Sequence, residues 1–257
     1  MDFSSFTFDI LLLLFIIAVA AGMIDTLAGG GGLITIPALI LAGIPPLLAL
    51  GTNKFQAFVG SGTASFMMLK KKKITWLEVR YVMLTAFIGS AIGTVAVQFI
   101  DVELLSFVIP LVLLFIGVYF LVMPKASEID TTPKLSAKRY RNMVVPFIGF
   151  YDGMFGPGTG SFLSLSALAL RGYNLIKATA LAKTMNFATN IASVIVFLMY
   201  GQVIFSVGIL MMIGQIIGAY IGSHFLVKIN PSHLKIIVVL MCFIMLVKYS
   251  HQMGWLW

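Results

Sequence analysis

Charged residues are scarce in this chain: 10% of its 257 residues are Asp, Glu, Lys or Arg. A water-soluble domain carries about a quarter, and no stretch here is polar enough to form one. Cysteine is nearly absent. The single Cys242 sits in an apolar run and excludes a disulfide framework or a cysteine-based metal site. The three histidines, His224, His233 and His251, stand at no metal-ligand spacing, so neither a metal nor any other cofactor is expected. No Cys, His and carboxylate set recurs at helical spacing, which argues against a membrane-embedded enzyme and leaves no catalytic residue to name. The GK[ST] ending of a P-loop is missing, and with it a nucleotide site. Residues 1–9 carry Asp2 and Asp9 without Lys or Arg, the reverse of a secretory leader's charged start, so a leader is not expected.

Apolar residues fill the space: 60% of the chain is hydrophobic and the mean hydropathy is +1.05. A chain of this kind has lipid as its main solvent. The net charge of +8 is placed unevenly. Ten of the 17 basic residues lie in two loops or at their edges: Lys70 to Lys73 with Arg80, and Lys125, Lys134, Lys138, Arg139 and Arg141. That is the footprint of the positive-inside rule. Nucleic acid is not an expected partner, since no basic groove with interleaved aromatics is visible.

Ten apolar segments can be drawn, at 8–28, 33–42, 47–69, 77–100, 103–123, 142–155, 161–170, 175–200, 203–228 and 232–250. A helix needs about 20 residues to cross the hydrocarbon core. The 33–42 and 161–170 segments are too short and each follows a glycine loop, so the chain is expected to break inside the membrane there. With both termini outside and the short segments paired as half-depth hairpins, 14 basic residues fall inside and only Lys248 outside. Trp255, Trp257 and Tyr249 read as an interfacial aromatic belt.

The halves repeat weakly. At an offset of 129, Ala38, Leu39, Gly43, Ala49 and Lys54 fall on Ala167, Leu168, Gly172, Ala178 and Lys183, while Gly89, Ile92 and Gly93 fall on Gly218, Ile221 and Gly222. The expected fold is an all-α integral membrane protein of two inverted five-segment repeats. It has about eight full or near-full transmembrane helices, plus short broken helices around the glycine loops. The repeats would span 1–123 and 142–257, with 124–141 a charged cytoplasmic linker. Inverted repeats whose broken helices meet around a central site are the architecture of secondary transporters.

The residues with chemistry to offer cluster at those breaks. Irregular backbone at membrane depth has to be buried in protein or line a cavity. Gly29, Gly30, Gly31 and Gly32, and Gly156, Gly158, Thr159 and Gly160, precede short helices whose free N–H groups favour an anion. The glycines could instead serve close helix packing, the reading favoured for Gly89, Gly93, Gly218 and Gly222. Lys54 and Lys183 are ionisable residues inside apolar spans, which makes them site candidates, with snorkelling to an interface as the plainer alternative. Lys183, Asn186, Asn190 and Ser193 share one helix face; Thr52, Asn53, Gln56 and Ser61 form a looser set. Asp25 and Asp152 each precede a glycine loop by four residues. They could carry a proton, cap backbone donors, or pair with Lys54 or Lys183.

The strings GGGGLITIPAL, GTNKFQ followed by Gly60 and Ser61, GFYDGMFGPGTGSF and Lys183 to Asn190 resemble the TauE/SafE family of sulfite and organosulfonate exporters over nearly the whole chain. The resemblance implies outward transport of a small sulfur-containing anion across a prokaryotic cytoplasmic membrane. The expected partners are that anion and the lipid bilayer, with a homo-oligomer left open. A carrier or channel for another small solute or a metal ion is the alternative.

Overall fold

The computed structural model describes residues 6–122 and 131–225, together with Phe243, Val247, Ser250 and His251. The rest of the 232–250 segment, with Cys242, His233 and Tyr249, lies outside the described residues, as do Trp255 and Trp257. The regular structure among the described residues is all helical. The first half contributes α1 (Phe8–Ala28), the short α2 (Gly32–Leu41), α3 (Pro46–Lys70), α4 (Trp76–Val97) and α5 (Val102–Val122). In the second half α6 (Ala137–Arg139) passes through a π-helical turn (Tyr140–Val144) into α7 (Val145–Met154). The short α8 (Thr159–Arg171), α9 (Leu175–Met199) and α10 (Phe205–Phe225) follow.

Local sequence explains where these helices begin and end. Pro46 opens α3, where its missing N–H is not needed. Glu78 starts α4 by accepting hydrogen bonds from the backbone N–H and hydroxyl of Thr75, at 2.9 and 2.7 Å. Asn174 caps α9 by accepting from the Lys177 N–H at 2.9 Å. α1 stops because Gly29 turns left-handed, with φ 76°, a conformation side-chain-bearing residues rarely adopt.

Four helical stretches are long and apolar enough to cross a membrane: Phe8–Thr26, Trp76–Val97, Leu175–Met199 and Phe205–His224. α3 matches them in length but carries the polar GTNKFQ string. α1 packs along α10 and α4 along α7, while α3 and α9 lie against each other, with α10 beside α3 and α4 beside α9. The N-terminal and C-terminal halves are therefore interleaved rather than side by side.

Lipid gives helices no hydrophobic reason to associate, so close approach and buried hydrogen bonds must hold them. At Gly93 and Gly153 an added Cβ would strike the carbonyl oxygens of Phe150 and Ser90, and at Gly218 that of Val19. Those contacts draw α4 onto α7 and α10 onto α1. Hydroxyls fasten α4 on both sides: Ser90 donates to the Thr189 carbonyl of α9 at 2.8 Å and Thr94 to that of Gly153 of α7 at 3.1 Å. Large apolar side chains such as Leu12, Ile16, Ile88, Phe107, Phe115, Ile209 and Ile213 point outward. Such a surface suits lipid and not water. α9 is the most enclosed of the four membrane-length helices.

Candidate functional site

Two breaks in the helical run meet at the centre of the molecule. The first, Gly29 to Gly31, joins α1 to α2; the second, Phe155 to Gly158, joins α7 to α8. Gly156 and Gly158 take φ 92° and 75°, the left-handed backbone that lets the chain reverse into α8. Thr159 steadies the second turn, its hydroxyl donating to the Gly156 carbonyl at 2.9 Å, and the Tyr151 hydroxyl donates to the Pro157 carbonyl at 2.7 Å. The two loops touch: a Cβ on Gly160 would lie 2.6 Å from the Gly29 Cα.

Each loop is bound by a lysine from the opposite half of the chain. Lys54 of α3 places Nζ 2.7 Å from Oδ1 of Asp152, at the end of α7, and both side chains are 2% exposed. Lys183 of α9 lies 3.4 Å from Oδ2 of Asp25, at the end of α1, and also donates to the Asp25 backbone carbonyl. Neither lysine snorkels. Asp25 additionally accepts from the Gly31 N–H at 3.4 Å through Oδ1, so it pairs and caps together. Asp152 binds differently: its Oδ2 is buried and has no hydrogen-bond partner.

Between these pairs lies a small polar cavity of about 20 Å³, room for about one water molecule. Gly29, Gly31 and Gly32 line it from one loop, Gly156 and Gly160 from the other. Asp25, Asn53, Lys54, Asp152, Asn186, Asn190 and Gln215 supply its polar side chains. Asn53 is held in place, its Oδ1 accepting from the Thr35 hydroxyl at 2.5 Å and from Gln56 Nε2 at 3.1 Å. Asn190 Nδ2 donates to Ser61 Oγ at 3.3 Å and to Asn186 Oδ1 at 3.4 Å.

Not every predicted residue reaches the cavity. Gly30, Gln56, Gly158, Thr159 and Lys183 do not line it. Gln56 supports Asn53 from behind, Gly158 and Thr159 shape the turn, and Lys183 acts through Asp25. The two polar sets also divide. Ser193 leaves the cavity to bond Ser90 and Thr94, at 2.8 and 2.9 Å, and Thr52 accepts from the Ile204 N–H at 3.0 Å. Sequence reasoning missed Ala57 and Gln215, both of which line the cavity. The signal for Gln215 was present as the lone amide in the middle of the largely apolar α10, where it is 3% exposed. Among the described residues no cluster of His, Cys, Asp or Glu is arranged to hold a metal ion.

These features define a multi-pass helical membrane protein folded around a largely buried, charge-balanced polar centre. The chain belongs to the sulfite exporter TauE/SafE family, whose sequence pattern matches residues 14–249. It is 44% identical over 247 residues to a "probable membrane transporter protein" of Haemophilus influenzae, covering 96% of this chain and 97% of the relative. It is 38% identical over 239 residues to the Escherichia coli K12 "probable membrane transporter protein YfcA", covering 93% and 89%. A similarly named protein of Methanocaldococcus jannaschii is 29% identical over 257 residues, covering 91% and 93%. No solved structure matches the chain.

Proposed function

We propose that this protein is a secondary transporter that carries a small sulfur-containing anion, sulfite or an organosulfonate, outward across the cytoplasmic membrane. The observation that carries this reading is the pair of lysine–aspartate bridges crossing between the halves at the two glycine loops. Buried ionisable groups in a membrane protein mark solute or ion pathways. The loop N–H groups would hold the oxyanion, Lys54 would face its charge, and Asn53, Asn186 and Asn190 would orient it. The reciprocal packing of α1 on α10 and α4 on α7 supports two inverted repeats, which would rock against each other to give alternating access. The 125–141 loop would face the cytoplasm.

A cavity with room for about one water favours a carrier over an open channel. A sulfonate is larger than this space, so binding one would require the two glycine loops to move apart. The test is counterflow in proteoliposomes loaded with unlabelled sulfite, methanesulfonate, sulfate or chloride and given labelled substrate outside. Saturable exchange of the first two, absent from empty liposomes, supports the reading. Exchange of none of them, with the protein shown to be folded, removes the anion assignment.

A further inference from the structure

The charges lining the cavity and directly behind its wall sum to zero. Lys54 and Lys183 are balanced by Asp25 and Asp152. An anion entering this site would therefore leave one negative charge unmatched at a largely buried position within the membrane, which is strongly unfavourable. We propose that Asp152 takes up a proton as the anion binds, so that anion and proton cross the membrane together as a neutral pair, outward when the anion's own concentration gradient exceeds the opposing proton gradient. This rests on the anion-transport reading given above and names its coupling ion.

The two aspartates hold equivalent places before their loops but are not equivalent in chemistry. Both oxygens of Asp25 are engaged, Oδ1 by the Gly31 N–H and Oδ2 by Lys183, and its side chain is 18% exposed. Asp152 uses only Oδ1, for Lys54, while its buried Oδ2 has no partner. A proton can settle on Oδ2 without breaking any hydrogen bond. The groups around Asp152 are few. Lys54 faces it from α3, and Tyr151 beside it donates its hydroxyl to Pro157. Asp25 lines the same cavity from α1, with Lys183 of α9 behind it, and α4 brings the Ser90 backbone and the Thr94 hydroxyl to the neighbouring Gly153. The other carboxylate lining the cavity, Asp25, already has both oxygens engaged.

Once Asp152 is neutral, Lys54 has lost its counterion but not its position. A Cβ on Gly156 would lie 3.0 Å from Nζ, so the ammonium sits against the backbone of the second glycine loop. An anion held there meets both the ammonium and the loop. The empty site and the site holding one anion plus one proton are both neutral, and only neutral sites can close. Anion alone or proton alone leaves an unpaired buried charge, and this forbids uncoupled slippage. The same arithmetic selects singly charged substrates, because a dianion needs a second proton that only the fully bonded Asp25 could hold.

Methanesulfonate is a suitable probe, being singly charged and carrying no proton of its own. In weakly buffered detergent solution with a pH-indicator dye, the wild-type protein should take up about one proton per methanesulfonate bound. Its affinity should fall about tenfold per unit rise in pH once the carboxyl is ionised in the free protein. Asp152→Asn should bind without proton uptake, with whatever affinity it retains independent of pH, while Asp25→Asn should still take up the proton. Where Asp152→Asn binds nothing, Asp152→Glu should restore proton uptake, and the wild-type stoichiometry decides alone where neither variant folds. Wild-type binding without proton uptake overturns the proposal, as does a proton still taken up by Asp152→Asn. Failure of every sulfur oxyanion to bind would instead remove the anion reading on which the proposal stands.

Discussion

Gly160 packs so closely on Gly29 that a methyl in place of its α-hydrogen would lie 2.6 Å from the Gly29 Cα. The loops proposed to hold the substrate are thus also a helix contact, and most alanine substitutions there confuse the two roles. Gly31 has the Asp25 Cβ 2.8 Å from where its own Cβ would go, and Gly158 needs φ 75°. Gly32 escapes both problems. An added Cβ there meets nothing nearer than the Pro157 Cα at 3.6 Å, yet the residue lines the cavity. Gly32→Ala should keep its thermal stability, or gain up to about 1 kcal/mol from a better helix former at the start of α2. It should bind substrate at least several-fold more weakly. Melting temperature and affinity measured together on one preparation check this. A variant that loses stability and keeps affinity would assign Gly32 to packing.

Gln215 offers a second probe of the site. No lysine bridge passes through it, but its amide lines the cavity from α10. Gln215→Leu is close in volume and removes the polar atoms from an apolar helix, so insertion and folding should be unchanged or improved. Substrate affinity should fall, and selectivity among oxyanions should change, because an amide orients an oxyanion where a methyl group cannot. A competition series of sulfite, methanesulfonate and sulfate reads this. An unaltered ranking with unaltered affinity would place Gln215 outside the binding surface.

The helices were legible in the sequence because lipid imposes a simple rule on apolar runs, and the glycine strings marked where the chain breaks. The buried lysines were legible too, since a charge in an apolar span is conspicuous. Their partners were not. Whether Lys54 bonds Asp25 or Asp152 depends on how α3 packs, and contact between residues this far apart in the chain leaves no trace in local periodicity. The enclosure of α9 was hidden for a related reason. Hydropathy reports that a helix is out of water and does not say whether lipid or protein surrounds it. Gln215 was overlooked because attention went to stripes of polar residues, while α10 offers a single amide.

The basic loops make orientation testable. Lys134 lies before α6, and Asp101 lies between α4 and α5; both are exposed. With the lone Cys242 replaced by Ser, single cysteines at these positions should label from opposite faces of the membrane. A membrane-impermeant thiol reagent applied to whole cells should reach Asp101→Cys and spare Lys134→Cys until the cells are lysed. Labelling of both from outside would remove the proposed topology and the inverted arrangement with it.

The bridge from Lys54 to Asp152 allows structure and function to be separated most cleanly. Removing one partner of a buried pair strands the other charge and typically costs about 3–5 kcal/mol. Lys54→Met should therefore insert poorly or melt early, and loss of transport in that variant alone would prove nothing about binding. Replacing both partners by apolar residues of similar size is often neutral or stabilising. Lys54→Met combined with Asp152→Leu should accordingly recover most of the lost stability while remaining inactive in counterflow. Lys183→Met should be milder than Lys54→Met, because Asp25 is farther from its lysine at 3.4 Å, is partly exposed, and keeps the Gly31 N–H. Melting temperatures for wild type, the three single variants Lys54→Met, Asp152→Leu and Lys183→Met, and the double variant give the coupling energy of the pair directly. A stable double variant that still exchanges methanesulfonate would make the bridge a structural fastening and move the substrate site elsewhere. A double variant no more stable than Lys54→Met would instead show that the pair contributes more than mutual neutralisation, through hydrogen bonds that apolar side chains cannot replace.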